Sequence, residues 1–225
     1  MQKKIVAITY TAFALVEPLK DLFSKLGPNL ELINIVDDSI IKEINKGNKI
    51  TTGVTRRVCA YALAAEEAGA SLILSSCSSL SEIAGIVRSL VKIPYFQIDE
   101  PMVSLAVSKW SKIGVIATLK STLNPTVSMI KRKACEKNKQ VEIKSSLCNG
   151  AYEALLEKKP EKHDKLVLDE IFNLSKSVNG IILAQGSMAR LLPSLKGEKI
   201  NVLTSPESGV KEVIRFLKKT NSINN

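Results

Sequence analysis

Short apolar segments rich in β-branched residues alternate with longer segments of helical spacing along the whole chain. We predict strands at residues 4–9, 30–35, 71–75, 93–98, 112–118, 141–145, 180–184 and 201–204. Helices are predicted at residues 12–26, 55–68, 81–90, 125–138, 163–176 and 207–219, with one more that follows Pro101 and ends at Trp110. Such alternation is typical of a parallel sheet covered by helices. We therefore expect an α/β fold whose ligands bind beyond the carboxyl ends of the strands.

The two halves of the chain repeat the same pattern at the same spacing. Cys77 lies 68 residues after Thr9, and Gln185 lies 67 residues after Thr118. The repeat predicts two equivalent α/β units, each a parallel sheet of the Rossmann-like (flavodoxin-like) type. We expect the first unit to comprise residues 1–98 with 207–225 and the second to comprise residues 99–206, with the last helix returning to the first unit.

The composition favours an aliphatic core, since 45% of the 225 residues are hydrophobic and only 4% are aromatic. No apolar run reaches the ~18 residues that a transmembrane helix needs. The amino terminus lacks the apolar region and cleavage site of a signal peptide, and it is better explained as a buried first strand. We therefore expect a cytoplasmic protein without membrane contact.

The formal net charge of +10 raises the question of nucleic-acid binding. The lysines are spread along the chain without interleaved aromatic residues, which is not the pattern of a nucleic-acid interface. We expect a lysine-rich solvated surface and no nucleic-acid partner. The positive field would also attract small carboxylates.

The four cysteines, at positions 59, 77, 135 and 148, match neither a zinc pattern nor a CxxC redox motif. We expect free thiols in a reducing compartment, with no metal site. The single histidine, His163, argues against a histidine-based catalytic triad, and its charged surroundings predict a solvent-facing side chain. Cys59, Cys135 and Cys148 are interpreted as structural.

Cys77 stands where an apolar strand runs into a loop of small hydroxyl residues. A helix that begins just after it would lower the pKa of the thiol through its dipole and N–H groups, making Cys77 a candidate base or nucleophile. Alternatively, the thiol is a small buried hydrophobe. Ser78 and Ser79 would supply donors to a substrate carboxylate or enediolate, or would only cap the helix.

Four further strand ends carry candidate substrate-binding residues. A hydroxyl-rich turn after the fifth strand suits a carboxylate, although ordinary turn chemistry explains it as well. Gln185 and the flexible Gly186 would contact a carbonyl or carboxylate. Glu100 would orient a group, act as a second base or cap the next helix. The full set is Thr9, Tyr10, Thr11, Glu100, Thr118, Ser121, Thr122, Gln185, Gly186 and Ser187. Arg56 and Arg57 either reach a carboxylate or lie on the surface.

The order of these motifs resembles the aspartate/glutamate/hydantoin racemase superfamily over nearly the whole chain. The resemblance rests on the Cys77 loop, on Gly114–Thr122, on Ile98–Pro101 and on Leu183–Leu191, the last being similar to a Leu-Gly-Cys-Ala-Gly-Met-Ala pattern. It implies two pseudo-symmetric halves with the active site between them, no cofactor and a homodimer. It also implies that one cysteine removes the α-proton and the opposed cysteine returns one.

Gln185 stands where the resemblance places the second cysteine. An amide is not an acid or base near neutral pH, so symmetric two-thiol racemisation is in doubt. We expect a racemase- or isomerase-type enzyme that acts at the α-carbon of a small carboxylic or amino acid through Cys77, with Gln185 in the catalytic loop. The alternatives are a one-cysteine decarboxylase, lyase or cis–trans isomerase of a dicarboxylic acid, and a carboxylate-binding protein without catalysis.

Overall fold

Two four-stranded parallel sheets form the framework of the protein, which confirms the predicted α/β class. The computed structural model describes residues 3–223, and side chains up to position 220. One sheet has the strand order β2-β1-β3-β4, and the other has the corresponding order β6-β5-β7-β8. The strands are β1 (Ile5–Tyr10), β2 (Glu31–Val36), β3 (Leu72–Ser75), β4 (Tyr95–Gln97), β5 (Lys112–Ala117), β6 (Glu142–Leu147), β7 (Gly180–Leu183) and β8 (Val202–Leu203).

Helices connect the strands and cover both faces of each sheet. They are α1 (Val16–Leu26), α2 (Ser39–Gly47), α3 (Thr52–Glu67), α4 (Ala84–Leu90), α5 (Glu100–Lys109), α6 (Lys120–Glu136), α7 (Ala151–Leu156), α8 (Pro160–Ser175) and α9 (Ser205–Ile223). Three 3-10 helices span Phe13–Leu15, Ser78–Ile83 and Gly186–Leu195. The last two follow β3 and β7 after two residues each, Ser76-Cys77 and Ala184-Gln185, and both Cys77 and Gln185 have extended backbone.

The chain divides into two compact units, and the first is built from both ends of the sequence. It contains the residues up to Glu100 together with those from Pro206 onward, while residues 101–205 form the second. In the first unit Val210 and Val213 of α9 pack with Val6 and Ile8 of β1. Helix α9 therefore completes the core of a sheet that the amino-terminal half begins.

Alternation along the strands of the first unit separates two apolar clusters. Val6 and Ile8 join the cluster beneath α1 and α9. Ala7 and Ile73 face the opposite way and pack against α2, α3 and α4. Successive side chains in a strand point to opposite faces. The polar residues at the carboxyl ends of these strands therefore also alternate between the two faces of the sheet.

Several predicted boundaries were wrong because they rested on local signals. Helix α6 begins at Lys120, five residues before the predicted start at Pro125. The proline lies within the helix, where it removes only one backbone hydrogen bond. Helices α2 and α7 were not predicted at all; both are short, at nine and six residues, so their periodicity is weak.

Candidate active site

A row of polar side chains crosses three adjacent strands of the first unit near their carboxyl ends. Thr9 of β1 pairs in register with Ser75 of β3, which pairs with Gln97 of β4. The three residues are 7%, 1% and 3% exposed. Among the described residues, Thr9 Oγ1 and Gln97 Oε1 have no hydrogen-bond partner. Because buried polar oxygens are nearly always paired, this row is a candidate for function.

Two residues beyond this row, just past the ends of the same strands, the chain carries Thr11, Cys77 and Asp99. The Thr11 hydroxyl donates a hydrogen bond to the Cys77 sulfur. Asp99 is 1% exposed, and its charge acts on the same thiol. The predicted residues Thr9, Thr11 and Cys77 are thus brought together, on a framework that the fold itself dictates.

Cys77 is half-buried, and burial raises the pKa of its thiol above the usual value. Hydrogen bonds from Thr11 and from the N–H and hydroxyl of Ser79 act in the opposite direction, while the charge of Asp99 raises the pKa further. The expected lowering by a helix dipole was wrong. The segment that follows Cys77 is a 3-10 helix rather than an α-helix, and desolvation of the thiolate outweighs its donors. The resting group is therefore the thiol.

Ser78 and Ser79 open the 3-10 helix that follows Cys77, and both are buried. The Leu80 N–H closes the first turn onto the Cys77 carbonyl at 3.1 Å. The Ser81 hydroxyl bonds the Ser78 carbonyl at 2.8 Å, which fixes the same turn. These bonds hold Ser79 where it donates to sulfur, so its role here is to solvate Cys77.

Tyr10 lies away from this row, contrary to its predicted place in the wall of the site. It alternates with Thr9 and Thr11 and shares the face of Ile8. Its ring is 2% exposed, and its hydroxyl donates to Asn34 Oδ1 at 2.9 Å. Burial holds the pKa of the phenol far above its usual range. Tyr10 is a core residue of the first unit.

Glu100 begins α5, as its proposed capping role required, and its carboxylate is already engaged. Arg88 Nη2 donates to Glu100 Oε2 at 2.9 Å. The same guanidinium binds the Tyr95 carbonyl through Nε at 3.0 Å. Arg88 therefore ties the start of α5 to β4, and Glu100 is an orienting residue in this arrangement.

Arg57 is likewise committed to side chains of its own unit. Its guanidinium contacts Asp37 Oδ2 at 3.0 Å and Glu43 Oε2 at 2.5 Å. Asp37 also accepts the hydroxyl of Tyr61 at 2.8 Å. Because both sides of the guanidinium are taken by carboxylates, Arg57 organises the carboxyl edge near β2. The exposed neighbour Arg56 is a surface residue.

In the second unit the side-chain amide of Gln185 is bonded at both ends to Thr118. Gln185 Oε1 accepts the Thr118 N–H at 2.8 Å, and Gln185 Nε2 donates to Thr118 Oγ1 at 2.7 Å. The pair mirrors Thr11 and Cys77 of the first unit, so Thr11 rather than Thr9 is the counterpart of Thr118. The amide closes the loops after β5 and β7 onto each other.

The other predicted residues of the second unit surround this pair. Thr118 is buried and is separated from α6 by Leu119. The first turn of that helix contains Ser121 and Thr122, which were predicted to lie in a turn. Gly186 and Ser187 are half-buried and start the 3-10 helix after Gln185. Ser121 and Thr122 belong to the first turn of a helix, a position in a fold that suits a carboxylate.

His163 is buried rather than solvent-facing, so that prediction was wrong. Its ring is 3% exposed, with Nδ1 2.7 Å from Asp164 Oδ1 and 3.1 Å from Arg190 Nη2. Arg190 also pairs with Asp164. Arg190 belongs to the 3-10 helix that follows Gln185, so the cluster fastens that helix to α8. The charged residues beside His163 in the sequence gave no sign of its contact with Arg190, which lies 27 residues further along the chain.

Sequence reasoning missed Ser75, Tyr95, Gln97 and Asp99. Tyr95 precedes Gln97 by two residues in β4 and is 3% exposed. Burial raises the pKa of its phenol to about 12, and Ser75, Cys77, Arg88 and Cys59 have smaller effects on it. A usable signal was present, because Thr-Tyr-Thr, Ser-Ser-Cys and Gln-Ile-Asp each place polar residues two apart at a strand end.

Among the described residues, no group of histidine, cysteine or acidic side chains is arranged to hold a metal ion. Within the same part of the chain, no helix combines the length and apolarity required to span a membrane.

The framework and the Cys77 loop define an α/β protein of the racemase type, and comparison with known proteins gives the family. The chain belongs to the Asp/Glu/hydantoin racemase family, whose model matches residues 9–213. No curated protein matches the chain.

Solved structures share the fold at low sequence identity. A glutamate racemase from Francisella tularensis subsp. tularensis SCHU S4, crystallised with D-glutamate, is 19% identical with a TM-score of 0.77, covering 98% of this chain and 83% of that one. Picrophilus torridus aspartate racemase is 16% identical with a TM-score of 0.71, covering 94% and 93%. Allantoin racemase from Klebsiella pneumoniae is 17% identical with a TM-score of 0.66, covering 96% and 89%.

Proposed function

We propose that the protein is a cofactor-independent enzyme of the racemase/isomerase type that transfers a proton at the α-carbon of a small carboxylic or amino acid. Cys77 is the acid/base. The observation that carries the proposal is the environment of its sulfur, where a half-buried thiol receives donors from Thr11 and Ser79 at the carboxyl end of β3. Parallel sheets bind ligands at this edge.

In this proposal the thiol and the substrate exchange one proton. In one direction the Cys77 thiolate removes the α-proton; an S–H bond forms, and the electrons of the C–H bond pass into an enediolate. In the other direction the thiol returns a proton to that carbon. The donors on sulfur stabilise the thiolate that desolvation disfavours. General acid/base catalysis of this kind contributes about 10²- to 10⁴-fold.

We assign the binding of substrate oxygens to N–H and hydroxyl groups of loops that follow the strands. Ser78 is the candidate in the first unit, and the candidates within the second unit, taken by itself, are Thr118, Ser121, Thr122, Gly186 and Ser187. Each donor to a developing oxyanion is worth about 3 kcal/mol. The D-glutamate in the structure of the Francisella tularensis enzyme supports a small carboxylate as substrate class. We include a cytoplasmic location and a homodimer in the proposal, the latter to be checked by light scattering.

The second candidate function is a reaction in which a proton is delivered to one face of the substrate only. The hydrogen bonding of Gln185 favours it. Both ends of that amide are bonded to Thr118, so this residue supplies no acid or base. An enzyme with one thiol is suited to protonating a carbanion from one face, as in decarboxylation of a dicarboxylic acid. The product separates the candidates, since racemisation inverts the α-carbon and decarboxylation releases CO₂.

The test is α-proton exchange followed by NMR in D₂O with a panel of amino, hydroxy and dicarboxylic acids. The wild-type protein is compared with Cys77→Ser and with Cys135→Ser, which removes an exposed thiol. We expect exchange or conversion with at least one compound, a loss of about 100-fold or more in Cys77→Ser, and no loss in the control. Equal activity in both variants would overturn the role of Cys77.

A carboxylate-binding protein without catalysis is the remaining alternative. Calorimetric titration of the same panel distinguishes it, because binding without exchange or product by the wild-type protein would select it.

A further inference from the structure

We propose that a cavity at the amino-terminal ends of β1 and β2 is a second ligand site, which binds an amphipathic carboxylate of the medium-chain fatty acid class. The volume of the cavity is about 530 Å³, within the range of about 300–1,000 Å³ that is usual for small-molecule sites. It is lined by residues 3–4 and 26–30 together with Ile214, Leu217 and Lys218 of α9. All of these residues belong to the first unit.

The cavity and the thiol of the candidate active site lie at opposite edges of the first sheet. Lys4 directly precedes β1, and Leu30 directly precedes β2. The Glu31 N–H donates to the Lys4 carbonyl at 3.0 Å, which holds the two strand starts side by side. Cys77 follows the carboxyl end of β3, which runs parallel to β1. The proposed reaction at Cys77 therefore leaves this cavity without a role.

The wall of the cavity is aliphatic. Leu26, Leu30 and Ile214 are half-buried and pack against the core cluster beneath α1 and α9. Leu217, a member of that cluster, is 4% exposed. Gly27 allows a close approach of these side chains, since a Cβ there would lie 3.0 Å from Leu30 Cδ1 and 3.1 Å from Ile214 Cδ1. A hydrocarbon chain in the cavity would remove this apolar surface from water.

Three lysines give the cavity a positive charge. Lys3 and Lys218 are exposed, and Lys4 is half-buried with its Nζ donating to Thr220 Oγ1 at 3.1 Å. None of the described residues that line the cavity is acidic. An ammonium group binds an anion as a point charge on a flexible stem. Cationic and aliphatic side chains thus share one wall, which suits a ligand with an anionic head and an apolar body.

The backbone of the turn between α1 and β2 favours a carboxylate head over a phosphate. The Gly27 N–H donates to the Phe23 carbonyl at 2.8 Å. The Leu30 N–H donates to the Gly27 carbonyl at 3.0 Å, and Pro28 has no N–H. Phosphate sites built on loops use several backbone N–H groups that point at the anion. Here the lysine side chains would provide the contacts, which is sufficient for a single carboxylate.

The volume sets the length of the acid. At about 30 Å³ for each heavy atom, the share of one molecule in liquid water, decanoate needs about 360 Å³. The cavity of about 530 Å³ accommodates this chain and leaves room for water at the head group. Each methylene that enters the apolar wall should tighten binding about three- to fourfold, so affinity should rise with chain length until the cavity is filled.

The test is a titration of the ¹⁵N-labelled protein with decanoate, octanoate, decanol, acetate and inorganic phosphate, followed by the NMR shifts of the backbone amides. We expect saturable shifts with decanoate at residues 3–4, 26–30 and 214–218. Octanoate should bind about tenfold more weakly, because it buries two methylenes fewer. Decanol should bind about threefold or more weakly than decanoate, since it lacks the charge. Acetate and phosphate should give no saturable shifts.

Two neighbouring lysines of α9 provide a matched pair of variants. Lys218 and Lys219 are both exposed, but only Lys218 lines the cavity. We expect Lys218→Glu to weaken decanoate binding about three- to tenfold at low salt, and Lys219→Glu to bind within about twofold of the wild-type protein. The two variants have the same net charge, so a difference between them reports the local contact.

Four results would overturn the proposal. They are the absence of saturable decanoate binding, shifts confined to residues outside the cavity, equal binding of decanol and decanoate, and equal weakening in Lys218→Glu and Lys219→Glu. Phosphate that produced the shifts expected of decanoate would also contradict the proposed ligand class. Because none of these measurements uses turnover or the Cys77 thiol, their failure is distinguishable from a failure of the proposed function.

Discussion

Gln185 and Thr118 form a closed pair, in which one amide group satisfies both the N–H and the hydroxyl of one threonine. The corresponding pair in the first unit consists of Cys77 and Thr11. The same place in the two sheets is therefore occupied by a thiol in one unit and by a hydrogen-bonding clasp in the other. We infer that Gln185 acts by positioning Thr118.

Replacing Gln185 tests the clasp. Gln185→Ala removes two hydrogen bonds and should lower the free energy of unfolding by about 1–3 kcal/mol, since each contributes about 1 kcal/mol net. Gln185→Glu keeps an acceptor for the Thr118 N–H and should lose less. Urea unfolding provides the measurement, with the exposed Gln140→Ala as control. If Gln185→Ala and Gln140→Ala have the same free energy of unfolding, the hydrogen bonds between Gln185 and Thr118 do not stabilise the protein.

Tyr95 should make the protein sensitive to alkali. The unfolded chain releases the phenolic proton near pH 10, whereas the folded protein retains it to about pH 12. The folded state therefore binds more protons in that window, and stability falls as pH rises through it, by up to about 3 kcal/mol. Unfolding free energies measured from pH 8 to 11.5 should fall more steeply for the wild-type protein than for Tyr95→Phe. Parallel curves would refute this assignment.

Asp37 should contribute to the acid side of the stability curve. Burial alone would raise the pKa of this carboxyl, but hydrogen bonds from Ser39 and Tyr61 and the charge of Arg57 bring it below 3.8. Its stabilising effect is complete above about pH 4 and is lost as pH falls through the folded value. Urea unfolding between pH 2.5 and 6 should show a shallower acid loss in Asp37→Asn. The exposed Asp21→Asn should retain the wild-type slope, and two matching slopes would disprove the prediction.

Gly209 is the point at which α9 meets the end of β4. A Cβ at this position would lie 2.8 Å from the carbonyl oxygen of Ile98 and 3.1 Å from its Cα. Because backbone atoms yield less than side chains, Gly209→Ala should cost about 1–3 kcal/mol. Gly85→Ala in α4 meets nothing within 4 Å and should be neutral or stabilising. Thermal unfolding of the two variants checks the contrast; equal melting temperatures would count against it.

Local sequence was sufficient for the strands and for the Cys77 loop, and insufficient for the partners of the site residues. The strands carry continuous apolar runs, and Cys77 comes shortly after such a run, separated from it by Ser75 and Ser76. Strand alternation places Tyr10 on the core face of β1. It was nevertheless predicted to be a site residue, because the neighbouring Thr9 and Thr11 made the segment resemble a polar loop. The bonding of Gln185 depends on a threonine 67 residues away, which no local pattern indicates.

Burial of charged groups was the other source of error. His163 lies in a strongly polar segment, but Arg190 reaches it from a remote helix. The pKa of Cys77 was predicted from a helix dipole and nearby N–H groups, whereas desolvation determines its direction. In both cases a long-range contact reversed what the neighbouring residues suggested.

The discontinuous first unit also sets an order of events during synthesis. When the ribosome has completed residues 101–205, the whole second unit is available, but Val6, Ile8, Leu19 and Phe23 still lack Val210, Val213 and Leu217 of α9. The nascent chain must keep that apolar surface from aggregating until its last helix emerges. Truncation near Pro206 would thus damage the unit that was translated first and spare the one translated second.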